Sequence, residues 1–148
     1  MNTASGLLKI AFPKRTWNIK TSRREVFLTF DDGPTPQITE WTLDQLAKYQ
    51  AKATFFCIGK NVKKYPDIFK RCINESHSIG NHLYAHENGW KTQTADYIKS
   101  VEKTEQAFLE QGIKTHLIRP PYGKMSRQQV VHLANKGYRV IMWDVLSK

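Results

Sequence analysis

Short apolar runs recur along this chain, separated by longer amphipathic segments, and that alternation is what most restricts its fold. VFLTF (26–30), ATFFC (53–57), HSIG (77–80), THLI (115–118) and RVIMW (139–143) have the length and composition of short buried strands. Helical patterns with recognisable ends lie between them. Thr35-Pro36 suits an N-cap followed by proline at the first helical position. Thr94 opens TADYIKSVEKTEQAFLEQ, which Gly112 closes, and Ser126-Arg127-Gln128-Gln129 has capping-box form before a helix that ends at Gly137. Strands alternating with helices predict an α/β protein with a parallel sheet, open or forming part of a barrel. Such sheets gather their chemistry at the C-terminal ends of the strands.

The length of 148 residues fits one domain, and neither a repeat nor an interdomain linker interrupts it. No apolar stretch approaches the roughly 20 residues that span a bilayer. LLKIAF, near the N-terminus, is shorter than the apolar core of a signal peptide, about 7–15 residues. The chain as given carries no export signal, which makes the cytoplasm the default location. Charge is uneven: residues 1–24 hold six Lys or Arg and no acid, supplying +6 of the net +10. This reads as a basic leader ahead of a domain at 25–148. The leader can act as an arm for an anionic polymer or membrane surface. Its basic residues are scattered, however, and Leu7, Leu8, Phe12 and Trp17 favour a segment packed onto the domain. Neither zinc-finger spacing nor a ribonucleoprotein aromatic motif is present, so nothing points to nucleic acid. Cys57 and Cys72, in apolar and amphipathic settings, read as buried free thiols.

Three clusters fall at expected strand ends. The first is TFDDGP, with Asp31 and Asp32; the second, SHSIGNHLYAH, brings three histidines into residues 76–86. The third is RPPYG, with Arg119 and Tyr122. Each alone has an ordinary structural explanation as a turn, a core histidine or a rigid loop. Their meeting at one end of one sheet argues for a site. His82 and His86 are four apart, and on one helical turn that spacing aims both rings the same way, with His77 outside the pair. Two imidazoles need a third protein ligand. Successive strand residues face opposite sides, so Asp31 and Asp32 have different jobs unless the strand breaks between them.

One carboxylate can complete an Asp-His-His metal set while the other stands beside a water as base. A divalent ion lowers the pKa of such a water towards roughly 7 and polarises a substrate carbonyl. Arg119 can hold the base carboxylate in place, and the backbone N–H of Tyr122 can donate to a developing oxyanion. This is equipment for metal-assisted amide or ester hydrolysis, without identifying a sugar.

TFDDGP, the HxxxH pair and RPPYG, in this order, resemble the first three motifs of the polysaccharide deacetylases (the NodB-homology domain, carbohydrate esterase family 4). KATFFCIGKNV and GYRVIMWDV also resemble strand regions of that family, and the likeness covers roughly residues 25 to 148. The resemblance implies a distorted (β/α) barrel of the NodB-homology type, incomplete in this chain, and hydrolytic removal of acetyl groups from N-acetylated sugars. It implies Asp31 as catalytic base, with Asp32, His82 and His86 as ligands of a divalent metal, commonly zinc. Arg119 then orients the base, Tyr122 supplies the oxyanion donor through its backbone, and His77 belongs to the structural shell.

Three departures from the family pattern stand out. Leu83 occupies a place where the family usually has Ser or Thr, so orientation of the neighbouring histidine must rely on something else. The fourth motif should begin near Leu146, where the chain reads Leu146-Ser147-Lys148. No segment carries the last motif, with its histidine acid, and His116 and His132 have no motif context to replace it. These absences lead to the expectation of a chain shortened at its C-terminus, with sheet edges left exposed. Trp143 and Asp144 read as structural. The leading expectation is metal-dependent N-deacetylation of peptidoglycan or chitin-type glycans, with family analogy pointing to the cell envelope. The alternative is a non-catalytic carbohydrate-binding or scaffold protein that keeps the metal site. Oligomeric state is not readable, and an Asp-His-His set also accepts cobalt or nickel.

Overall fold

A computed structural model describes residues 2–3 and 12–146, so Leu7 and Leu8 of the leader and the Ser147-Lys148 end lie outside the described residues. In chain order the elements are β1 (Asn2–Thr3), β2 (Arg15–Thr16), β3 (Leu28–Gly33), α1 (Ile38–Lys48), β4 (Ala53–Cys57), α2 (Gly59–Lys64) and α3 (Pro66–Asn74). There follow β5 (Ser78–Asn81), α4 (Thr94–Leu109), β6 (Leu117–Ile118), a 3-10 turn (Pro121–Gly123), α5 (Arg127–Asn135), β7 (Arg139–Ile141) and β8 (Val145–Leu146). Six strands form one sheet in the order β2-β7-β6-β5-β4-β3, every pairing parallel. β1 and β8 make a separate antiparallel pair. This is the expected α/β architecture, a distorted (β/α) barrel sheet whose edges are β2 and β3 among the described residues. None of the helices described is long and apolar enough to cross a membrane.

All five expected strands are present, with β3 shifted to include the two aspartates and β6 and β7 shorter than the apolar runs. The sheet also takes a strand that periodicity does not reveal, Arg15–Thr16 from the basic leader, which pairs with β7. Arg15 is buried there, donating from Nη2 to the Met125 carbonyl at 2.8 Å with its guanidinium 4.2 Å from the Phe12 ring centre. Helix α1 starts later than Thr35-Pro36 suggests. Its N-cap is Gln37, and the Glu40 carboxylate accepts from the Gln37 N–H at 2.8 Å, so that pair, rather than Thr35, sets the entry. The Ser126–Gln129 capping box forms as its spacing predicts.

Two apolar clusters share helix α4. Ala107 and Phe108 join Leu43, Phe55, Phe69 and Ile79 in the first. Tyr97, Ile98 and Val101 join Leu83, Ile118, Leu133 and Val140 in the second. The buried positions of α4 recur at helical spacing, so one face closes over both halves of the sheet. Cys57 and Cys72 are buried and free, and burial pushes both thiols up, that of Cys72 to about 12. His77 is buried in the same region: its Nδ1 accepts from the Ala53 N–H at 3.3 Å and its ring meets Phe55 edge-on.

Gly80 sets the spacing at the centre of the sheet. It lies beside Phe56 in the β4–β5 register, and a Cβ at this position would fall 2.4 Å from the Phe56 ring. The Phe56 ring is fully buried with the Arg119 guanidinium 4.1 Å from its centre. Gly80→Ala overpacks this layer and is expected to cost about 1–3 kcal/mol, read from the urea midpoint at unchanged slope.

Candidate metal centre

The C-terminal ends of β3, β5 and β6 bring the three motif clusters together. On β3 the ladder runs regularly to Asp31, which pairs with Phe56; the next pair is Gly33 with Cys57, so Asp32 is an extra residue in the strand. Its φ of 69° marks the bulge. Here the ladder shifts register within the strand, and the two carboxylates serve different neighbours. Asp31 Oδ1 accepts from Arg119 Nη1 at 2.8 Å. Asp32 Oδ1 lies 3.4 Å from His82 Nε2 and 3.1 Å from His86 Nε2, while its main-chain carbonyl accepts from Asn61 Nδ2 at 2.9 Å.

The histidine pair is not on a helix. Residues 82–86 form an irregular loop with φ of 62° at Leu83 and 60° at His86. These two left-handed residues, not helical spacing, turn both rings toward Asp32. The loop is tied on several sides. His82 N–H donates to the Cys57 carbonyl at 3.0 Å, and Leu83 N–H to Asn81 Oδ1 at 2.9 Å. Tyr84 N–H donates to Ser100 Oγ at 2.8 Å, and Ser100 Oγ donates in turn to Glu87. Asn81 is itself buried, with Nδ2 donating to the Val101 carbonyl at 2.9 Å.

These ties answer the question raised by Leu83. Its side chain is fully buried in the second apolar cluster and anchors the loop by packing. Orientation of His82 comes from the main chain instead: Nδ1 lies 2.7 Å from the Arg119 carbonyl. A carbonyl only accepts, so Nδ1 carries the proton, and in the neutral ring Nε2 keeps its lone pair facing Asp32. The chosen donor atoms of Asp32, His82 and His86 all lie within 4.8 Å of one another. Two ligands each about 2.1 Å from one ion at a tetrahedral angle stand roughly 3.4 Å apart, and the two separations from Asp32 Oδ1, 3.4 and 3.1 Å, are close to that. One carboxylate and two imidazoles, with open space beside Asp32, suit a borderline divalent cation such as zinc. Burial lowers the His86 imidazole below its ordinary range.

Arg119 organises the other half. Nη1 reaches Thr29 Oγ1 at 2.7 Å as well as Asp31, Nε donates to the Ile141 carbonyl at 3.2 Å, and Nη2 donates to the Met142 carbonyl at 2.8 Å. Its side chain is 3% exposed, and desolvation lowers its pKa against the raising effect of Asp31. Beyond it, Gly123 and Lys124 N–H groups close the turn onto the Pro120 and Pro121 carbonyls, a pattern in which the Tyr122 N–H takes no part. Tyr122 has φ 58°, and its ring meets His86 edge-on at 4.6 Å. Motif reading misses Thr29, Phe56 and Asn61. Thr29 was findable, because it lies two residues before Asp31 and so shares its face. His116 is exposed at the entrance to β6, the opposite end of that strand from Arg119, and His132 is exposed on α5. Trp143 is partly buried against the second cluster, 5.8 Å from the Arg119 guanidinium.

Arg119→Met would leave the Asp31 carboxylate, the Thr29 hydroxyl and two carbonyls without their donor. Because Asp31 is partly solvated, the expected loss sits at the lower end of about 3–5 kcal/mol, checked by urea denaturation.

The polysaccharide deacetylase pattern matches residues 18–141. A peptidoglycan-N-acetylglucosamine deacetylase of Bacillus cereus is 40% identical over 125 residues, 84% of this chain and 46% of that protein. A chitooligosaccharide deacetylase of Azorhizobium caulinodans is 36% identical over 131 residues, 86% of this chain and 61% of its own length. The crystal structure of a peptidoglycan N-acetylglucosamine deacetylase superposes with a TM-score of 0.87 at 34% identity, covering 95% of this chain and 66% of that one. The chain thus spans roughly half to two thirds of the length of these three proteins, and about a quarter of some other relatives. By sequence pattern and by fold, it belongs to the polysaccharide deacetylase family.

Proposed function

We propose that this chain removes acetyl groups by hydrolysis from the N-acetylated sugars of a polysaccharide, of peptidoglycan or chitin type. The observation that carries the reading is the placement of Asp31, fixed by Arg119 at 2.8 Å, next in sequence to an Asp32 that converges with His82 and His86. Asp32, His82 and His86 would hold a divalent ion, and their donor set suits zinc. When bound, such an ion polarises the acetyl carbonyl and acidifies water.

The chain's own groups supply the remaining chemistry. Asp31 takes a proton from the attacking water as its oxygen bonds to the acetyl carbon. Arg119 keeps that carboxylate aimed, and the Phe56 ring beneath it keeps the guanidinium from swinging away. As charge develops on the acetyl oxygen, the Tyr122 N–H donates to it, set by a left-handed residue between Pro121 and Gly123. Collapse then breaks the C–N bond as the nitrogen takes a proton from solvent and Asp31 gives up the proton it received, leaving acetate and a free amine on the sugar. Two relatives, named for peptidoglycan and for chitooligosaccharide, support this substrate class.

Acetate release from N-acetylglucosamine oligomers, followed with and without added zinc, checks the reading. Asp31→Asn should lower turnover by about 10²–10⁴-fold while equilibrium dialysis still finds zinc bound. His82→Ala should lose both. Undiminished acetate release by Asp31→Asn would remove Asp31 as the base.

A further inference from the structure

The loop after His86 carries a tryptophan that the deacetylation chemistry does not use. Trp90 is 65% exposed, yet the backbone around it is firmly held. Gln129, fully buried on α5, donates from Nε2 to the Gly89 carbonyl at 2.9 Å and to the Thr92 carbonyl at 3.1 Å, on either side of Trp90. Gln129 Oε1 accepts from the Ser126 N–H at 2.8 Å, so the loop and the segment after Tyr122 share one anchor. Gly89 allows that approach: a Cβ there would stand 2.5 Å from the Lys124 carbonyl oxygen. An indole left in water on a backbone fixed from both sides is a poor stability element and a good platform.

Its neighbours indicate the ligand. Lys124 Nζ lies 5.2 Å from the centre of the Trp90 rings, and Lys91 is exposed at the next position. Tyr122, 60% exposed, stands two residues before Lys124 and touches the ligand candidate His86 at 4.6 Å. The metal centre is thus linked to the Trp90 platform through Tyr122, which meets His86 and stands two residues before Lys124. Flat apolar faces suit the C–H face of a pyranose, and an ammonium beside one suits an anionic substituent.

We propose that Trp90 and Lys124 form an outlying glycan subsite, in which the indole takes the face of a sugar ring and Lys124 pairs with a sugar-borne carboxylate. This rests on the deacetylase reading for its substrate class, and it favours a carboxylate-bearing glycan such as peptidoglycan over neutral chitin-type oligomers. Lys124 sets that preference; Trp90 serves both glycans.

The test is calorimetric titration of the Asp31→Asn chain, in which turnover is slowed, with an N-acetylglucosamine pentamer and with a peptidoglycan tetrasaccharide bearing lactyl carboxylates. Adding Trp90→Ala should weaken both ligands about tenfold, and Trp90→Phe should restore most of the loss. Lys124→Gln should weaken only the carboxylate-bearing ligand, about threefold to tenfold, with the effect shrinking at high salt. Melting curves show whether each variant is folded. Unchanged affinity in Trp90→Ala, or failure of the Asp31→Asn chain to bind either glycan, overturns the platform. Equal effects of Lys124→Gln on both ligands overturn the carboxylate preference. Acetate release by the unaltered chain is followed separately: its absence sinks the deacetylase reading, while the titrations still judge the subsite.

Discussion

A charge taken out of water must be answered on every side, and in this protein that charge is Arg119. Its guanidinium reaches the Thr29 hydroxyl and Asp31 carboxylate on β3 and the Ile141 and Met142 carbonyls at the end of β7, from a residue that follows β6. Strands β3 and β7 are not neighbours in the sheet; β6, β5 and β4 lie between them. One side chain therefore fixes the curvature of the sheet at the end where the site lies. Leaving a buried cation without its partners costs several kcal/mol, so each acceptor is held as firmly as the charge itself. The main chain of the same residue serves the other half of the site, because its carbonyl sets the tautomer of His82. The proposed base and one proposed metal ligand, His82, are thus oriented by one residue.

Much of this arrangement was legible in the sequence because it depends on short-range pattern. The apolar runs gave the strands, and ATFFC gave β4 to the residue, since a fully buried strand reads as a continuous apolar block. The motif residues were readable because their order and spacing are specific. What was not legible depends on contacts between distant segments. Arg15–Thr16 has no strand signal of its own; it becomes a strand because β7 offers an edge and the carbonyls of Gly123 and Met125 accept from Arg15. The 3.6-residue period suggested a helix for HLYAH, but the loop obeys Asn81, Ser100 and Gly59 instead. Tertiary hydrogen bonds overrode a local periodicity there.

Leu83 shows how a departure from a family pattern can be absorbed. Where a hydroxyl would have steered the histidine, the chain buries a leucine among Tyr97, Ile98 and Val101. Packing fixes where the loop sits, and a carbonyl fixes how the ring turns. The two tasks are separated onto different residues. The same division appears on the outer rim, where buried Gln129 positions a backbone whose exposed side chain faces solvent.

Arg15 carries a consequence in time. Its acceptors lie 108 and 110 residues further along the chain, and its strand can pair only after Val140 and Ile141 exist. A ribosome emitting about 5–20 residues per second needs on the order of ten seconds to cover that interval. Throughout it, the earliest-made part of the described sheet has no partner, and the turn that presents Tyr122 lacks its brace. Closing so large a loop is entropically demanding, so β2 docks late. The half of the sheet that carries Asp31 and His82 can be assembled by local neighbours as it emerges, while the turn facing His86 is braced by Arg15, made long before it.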